Sequence, residues 1–138
     1  MTIVEKWPLR SFLELGALAG AVPSARLHTR LVTREWHLAA LGETTELLVS
    51  ELMTNAVAAS QSLDEALPVR LWLLSDGARV LILVWDADPR QPVRIDAGAE
   101  AESGRGLLLV ETLSQQWGSY TPAQMGGKAV WALLGGRL

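Results

Sequence analysis

A glutamate and an asparagine, Glu51 and Asn55, stand four residues apart in the mostly apolar segment ELLVSELMTNAVAAS at positions 46–60. Residues with this spacing share one face of a helix, so both side chains are predicted to point inward or into a cleft. A carboxylate beside a carboxamide suits general-base chemistry and oxygen ligation of a hard cation such as Mg²⁺. The structural alternative is that Glu51 caps the helix or pairs with an arginine of the preceding helix, since an unpaired buried carboxylate is costly.

The helix that carries this pair is predicted over residues 43–61, with an apolar face and a polar face. Apolar residues are expected to surround the pair: Leu47, Leu48, Leu52, Ala58 and Ala59. Polar residues are expected to form the solvent face: Glu43, Glu46, Ser50 and Thr54.

A third candidate, Asp86, ends the apolar run VLILVWD and precedes the loop sequence ADPRQP. A carboxylate at a strand end, beside a cleft, can accept a hydrogen bond from an exocyclic amine such as that of adenine. The structural alternative is an aspartate that starts a turn, helped by the Asp88-Pro89 pair that follows.

The fourth candidate is the stretch SGRGLLLV, in which Gly104 and Gly106 flank Arg105 at the entrance to a predicted helix. Glycines allow backbone N–H groups to approach a phosphate closely, and a helix N-terminus favours negative charge. The stretch is neither a P-loop nor the G-x-G-x-x-G dinucleotide fingerprint. The structural alternative is a flexible turn.

Size and composition limit what these residues can belong to. The 138 residues suit one domain, 1–138, and 49% hydrophobic residues with 20% charged residues indicate a globular chain. A net charge of −3 argues against nucleic-acid binding through bulk charge. The chain has no cysteine, no apolar stretch long enough to span a membrane and no signal-peptide pattern, so we expect a cytoplasmic protein.

The elements that must position the candidates follow from periodicity and turn signals. Residues 1–10 are expected to form a loose arm. A strand is predicted over 11–18, and a helix begins at Pro23 and ends at Gly42. Two strands over 68–75 and 78–86 surround the turn sequence Asp76-Gly77, a strong hairpin signal.

The second half of the chain is predicted to begin with a long loop. This loop covers about residues 87–106, and a loop of such length in a compact domain is usually functional or mobile. A helix over 107–117 follows, and two strands around a glycine-rich turn close the chain. We therefore expect an α+β fold, a two-layer α/β sandwich with a mixed sheet and helices on one face.

Four ordered segments carry a family resemblance: ELLVSELMTNAV, VWDADPRQP, GRGLLLVETLSQQWG and GKAVWALL. Together they resemble the GHKL ATPase superfamily, and within it the small stand-alone ATP-binding proteins related to anti-sigma-factor serine kinases. The resemblance covers roughly residues 12–134. It implies the Bergerat ATP-binding fold, whose sheet is mixed but mostly antiparallel, with a lid loop over about 87–104.

The resemblance also implies roles for the polar candidates. Glu51 would be catalytic, polarising water or a hydroxyl, and Asn55 would hold Mg²⁺ against the phosphates of ATP. Asp86 would accept the hydrogen bond of the adenine amine.

Further residues are implied to bind the nucleotide. Gly104 and Gly106 would cradle phosphates with Arg105 between them, and Leu107 would begin the helix that follows. Lys128, in the segment GGKAVW, would lie near the ligand.

One difference from the family pattern bears on nucleotide affinity. Many GHKL proteins carry D-x-G-x-G after the adenine-reading strand, whereas this chain has Asp88, Pro89 and Arg90 after Asp86. Proline stiffens the start of the lid and removes backbone freedom near the base.

Two functions of different classes remain open from the sequence. The first is an ATP- and Mg²⁺-binding regulatory protein of the anti-sigma-factor serine/threonine kinase type, which acts on a small antagonist protein. Its protein partners would be a sigma factor, the antagonist or both. The family resemblance also implies that the protein forms a homodimer. The second is a non-catalytic module that sequesters a partner, with ATP as a structural ligand or with a degenerate site.

Overall fold

A computed structural model describes residues 3–65, 67–91 and 102–135, apart from the side chains of residues 3–4 and 102–106. The elements along the chain are α1 (Ile3–Lys6), β1 (Leu9–Leu15), α2 (Ala21–Glu35), α3 (Ala39–Gln61), β2 (Val69–Ser75), β3 (Arg79–Asp86), α4 (Glu102–Leu113), β4 (Gln116–Tyr120) and β5 (Lys128–Gly135). The predicted order of strands and helices is confirmed, with α1 as an addition.

The five strands form one sheet in the order β1-β2-β3-β5-β4. Every pairing among the described strands is antiparallel, where the sequence had suggested a mixed sheet. The last strand enters between β3 and β4, so β5 lies inside the sheet and β4 at its edge. Asp86 thereby comes into register with Lys128.

The helices form the second layer, which confirms the predicted two-layer α+β sandwich. In β2 and β3 alternate side chains are buried, among them Leu71, Leu73 and Ile82. They share one core with Leu48 and Met53 of α3. One face of the sheet is therefore covered by helices, and α3 runs across its centre against β2, β3 and β5.

The junction between α2 and α3 differs from the prediction that Gly42 ends the first helix. His37 adopts a left-handed φ of 58°. Its N–H donates to the carbonyl of Arg34, and the N–H of Leu38 donates to the carbonyl of Thr33. These two bonds form a Schellman motif at His37, so α2 ends at Glu35, seven residues before Gly42, and α3 begins at Ala39. Gly42 lies inside α3.

Two other boundaries also differ. The expected loose arm is wrong for the part that the structure describes: residues 3–6 are helical, and Trp7 is only 6% exposed beneath the guanidinium of Arg79. The predicted helix over 107–117 begins earlier, at Glu102, and ends at Leu113, because Gln116 and Trp117 pair with β5.

Candidate functional site

A small cavity lies between α3, α4, the end of β3 and the start of β5. Its volume of about 20 Å³ leaves room for roughly one water molecule. Its lining consists of Leu52, Asn55, Ala56, Val84, Asp86, Leu107, Lys128 and Val130. Four residues that the sequence singled out from separate segments are thus brought together: Asn55, Asp86, Leu107 and Lys128.

The polar centre of this site is an ion pair between Asp86 and Lys128. The Lys128 Nζ donates to Asp86 Oδ1 at 2.9 Å and to the carbonyl oxygen of Asp88 at 3.2 Å. The backbone N–H of Asp88 donates to the same Oδ1 at 2.9 Å. Both side chains are almost entirely buried, so the pair is a built feature and not a surface contact.

The turn before β5 brings Lys128 into place. Gly127 has a φ of 64°, and a Cβ on it would lie 2.2 Å from the backbone oxygen of Asp86. The indole N–H of Trp85 donates to the carbonyl of Gly126 at 2.8 Å. Only glycine at position 127 lets the turn approach the end of β3 this closely.

Burial and hydrogen bonding act in opposite directions on the Asp86 carboxyl. Burial raises its pKa above the ordinary aspartate value, and the hydrogen bond and charge of Lys128 counter that rise. Since nothing else charged among the described residues bonds to this carboxyl, Lys128 is its ionic partner.

The loop that leaves β3 is anchored on α3. The Arg90 guanidinium donates two bonds to the Asp88 carboxylate from Nε and one from Nη2, and Nη2 also donates to Ser62 Oγ at the end of α3. The hydrogen bonds from Arg90 lower the pKa of Asp88 to about 2. The residues that replace the usual glycines therefore build a fixed start to the loop. The rest of the predicted lid, residues 92–101, lies outside the described residues.

A family model for the histidine kinase-like ATPase domain matches residues 15–133, nearly the whole chain. The chain belongs to this family. The match runs from the end of β1 into β5 and so includes every element that lines the cavity. A search of curated proteins found no match.

Within this histidine kinase-like ATPase domain, Glu51 and Asn55 occupy the border of the buried face of α3. Fully buried positions of the helix include Leu48, Val49 and Met53, whereas Glu51 and Asn55 are half-buried. Asn55 lines the cavity and Glu51 does not. Neither side chain forms a hydrogen bond or ion pair with any side chain or backbone group that the structure describes.

The ion pair with α2 that was considered for Glu51 is instead made by Glu46. Arg30 donates to its two carboxylate oxygens at 2.7 and 3.3 Å, and Arg26 lies 3.6 Å away. The hydrogen bond from Arg30 lowers the pKa of Glu46.

Glu46 was predicted on the solvent face and is 8% exposed, so that prediction is wrong. Leu47, predicted near the polar pair on the apolar side, is 39% exposed. Glu46 is buried because α2 packs along this side of α3 and covers it with Arg26 and Arg30.

The same arginines border a larger groove between α2 and α3, with a volume of about 540 Å³. Its lining includes Arg26, Arg30, Arg34, Glu43 and Glu46, and none of the predicted site residues. Arginines spaced four residues apart on α2 were the sequence signal that could have identified Glu46 as their partner.

The glycine pair of the family motif lies in the first half of α4. Gly104, Arg105 and Gly106 follow the helix start at Glu102, so the prediction that the helix starts directly after them is wrong. The N–H groups of the first turn have no acceptor inside a helix, and that turn includes Gly104 but not Gly106. The structure describes the backbone of residues 102–106 but not their side chains.

No described helix is long and apolar enough to cross a membrane.

Proposed function

We propose that the cavity at Asp86 is the base end of an ATP site. The observation that carries this proposal is a buried carboxylate at the end of β3, with one oxygen held by Lys128 and the Asp88 amide, on the same cavity as Asn55. Its Oδ2 accepts no hydrogen bond from the described residues and can accept one from the adenine amine. Membership of the histidine kinase-like ATPase family supports the same ligand.

The residues fit ATP by the chemistry of their donors and acceptors, although the cavity between them is small. Pockets that hold a ligand of this kind usually measure about 300–1,000 Å³, so Leu52 of α3 and Leu107 of α4 must separate when the base enters. Both are apolar and suit the faces of a purine.

Asn55 fits Mg²⁺ as a carboxamide oxygen ligand. Among the residues that the structure describes, no group of three or more His, Cys, Asp and Glu side chains could hold a metal. A cation here would therefore take most of its ligands from phosphate oxygens and water, as Mg²⁺ commonly does.

The activity that we infer is phosphoryl transfer to a serine or threonine of a small antagonist protein, in the manner of anti-sigma-factor kinases. Bound ATP would supply the phosphoryl group, and Mg²⁺ would neutralise the charge of the phosphates. Glu51, half-buried one helical turn before Asn55 and without a partner among the described residues, would orient or deprotonate the acceptor hydroxyl.

Substitution of the polar pair tests this activity. Glu51→Ala is expected to lower the rate of phosphoryl transfer by about a hundredfold or more, while ATP binding is kept. Asn55→Ala is expected to weaken Mg·ATP binding. Transfer of radiolabelled γ-phosphate to a copurified partner measures the first effect and titration calorimetry the second. Glu43→Ala, an exposed glutamate of the same helix, is the matched control.

If Glu51→Ala and Asn55→Ala both behave as the unmodified protein does, the kinase assignment is wrong.

The second candidate is a module that sequesters a sigma factor or another partner without transfer. The fixed start of the loop favours it, because Pro89 and the Arg90 contacts to Asp88 and Ser62 restrain a segment that would have to move around a nucleotide. Retention of the partner without ATP, together with no labelled phosphate on that partner, would establish this function in place of the kinase.

A further inference from the structure

Lys128 has a role that its place near a nucleotide would not by itself suggest. Its side chain is 7% exposed, and its ammonium group is engaged by Asp86 Oδ1 and the carbonyl of Asp88. Two of its three N–H donors are thus used inside the protein. A lysine bound in this way is directed at the base-reading carboxylate and not at phosphates.

No other side chain that the structure describes can replace the positive charge of Lys128. From α3, Asn55 borders the cavity as a neutral carboxamide, and from α4 Leu107 is apolar. Asp88 adds a second negative charge nearby, and the guanidinium of Arg90 is engaged with Asp88 and Ser62. Among the side chains that the structure describes, Lys128 alone places a positive charge against Asp86.

The protonation state of Asp86 decides which purine it can recognise. An ionised carboxylate only accepts hydrogen bonds, and so it suits the exocyclic amine of adenine and repels a carbonyl oxygen at the same ring position. A protonated carboxyl can also donate, and so it can bind that carbonyl. Burial alone would favour the protonated form.

We propose that Lys128 is the residue that determines base specificity, because its ammonium group holds Asp86 as an ionised acceptor with Oδ2 directed to an amine. Lys128 is therefore a positioning residue that acts through Asp86. This inference rests on the proposed ATP site and specifies how that site distinguishes a 6-amino purine from a 6-oxo purine.

The test compares ATP with inosine triphosphate, which carries a carbonyl where ATP has the amine. Titration calorimetry with Mg²⁺ is performed on the unmodified protein and on Lys128→Met, from about pH 6 to about pH 8. The unmodified protein should prefer ATP by about tenfold or more at every pH. Lys128→Met should lose most of that preference, and its ATP affinity should fall as the pH falls and Asp86 takes up a proton.

Matched variants separate this role from a loss of structure. Lys6→Met removes the only other lysine, which lies against Trp7 far along the chain from the site, and should change neither preference nor pH profile. Lys128→Arg keeps the charge and should restore part of the preference. If Lys128→Met does not fold, Lys128→Gln keeps a hydrogen-bond donor without the charge and is measured in the same way.

The outcomes distinguish the inference from the function on which it rests. An unmodified protein that binds neither nucleotide contradicts the ATP site itself, and the role of Lys128 with it. An unmodified protein that prefers ATP, beside a folded Lys128→Met with the same preference and a flat pH profile, contradicts the role of Lys128 alone.

Discussion

At the residue scale, Asp88 is the residue whose hydrogen bonds most clearly set its ionisation. It is buried, and its carboxylate is bonded by Arg90 through three N–H···O contacts. Its N–H and carbonyl meanwhile reach Asp86 and Lys128. A residue that reads in the sequence as a turn former thus links the start of the loop to the candidate base site.

The lowered pKa of Asp88 predicts a pH dependence of stability. Because the pKa falls from 3.8 to about 2 on folding, ionised Asp88 contributes stability that is present above about pH 4 and lost as the pH falls towards 2. Asp88→Asn should lower the free energy of unfolding near neutral pH by at most about 2 kcal/mol. Urea denaturation at several pH values should show this difference shrinking between pH 4 and pH 2.

Asp64→Asn, on an exposed aspartate, is the control and should change the free energy of unfolding by less than about 0.5 kcal/mol at any pH. A constant difference between Asp88→Asn and the unmodified protein down to pH 2 would contradict the assignment.

At the element scale, the turn between β4 and β5 determines whether the ion pair can form. Gly126 and Gly127 both have positive φ, at 68° and 64°. A Cβ at position 126 would meet no atom within 4 Å, whereas a Cβ at position 127 would collide with the backbone of Asp86 and Ala87. A side chain at position 126 would therefore meet only the cost of a left-handed φ, whereas a side chain at position 127 would also collide with the end of β3.

Alanine at each position measures those two costs. Gly126→Ala should destabilise the protein by about 1 kcal/mol, the cost of a left-handed φ for a residue with a Cβ. Gly127→Ala should cost about 3 kcal/mol or more, because β5 must also move away from β3. Urea denaturation gives both values, and equal losses for the two variants would show that close approach contributes nothing.

At the scale of the whole molecule, the site exists only where the two layers meet. Asn55 comes from the helical layer, Asp86 and Lys128 come from the sheet, and Leu107 comes from the helix between β3 and β4. A ligand in this cavity would bridge helices and sheet, and so it would favour the folded state as a unit.

Mass action predicts the size of that effect. Mg·ATP at about a hundred times its dissociation constant should raise the free energy of unfolding by about 2.7 kcal/mol if it binds the native state alone. Thermal unfolding with and without millimolar Mg·ATP measures it, with Mg²⁺ alone as the control. An unchanged melting temperature would indicate a degenerate site and favour the sequestering module.

Much of the local structure was determined by the sequence alone. The Asp76-Gly77 turn between two apolar runs predicts the hairpin, and Asp76 indeed accepts hydrogen bonds from the Ala78 and Arg79 amides there. The order of elements and the candidates Asn55 and Asp86 also follow from neighbouring residues, whereas Lys128 was implied by the family resemblance. Periodicity and turn chemistry act over a few residues, so such features can be predicted locally.

Only the tertiary structure decided which polar groups meet. Lys128 reaches Asp86 across 42 positions because β5 enters the sheet beside β3, and the arginines of α2 select Glu46 over Glu51 because α2 packs on that side of α3. A helical or strand pattern states which face a residue occupies, not which element will cover that face. Which element covers a face depends on how the layers pack. Here the packing of β5 beside β3 placed an internal ion pair at the centre of the candidate site.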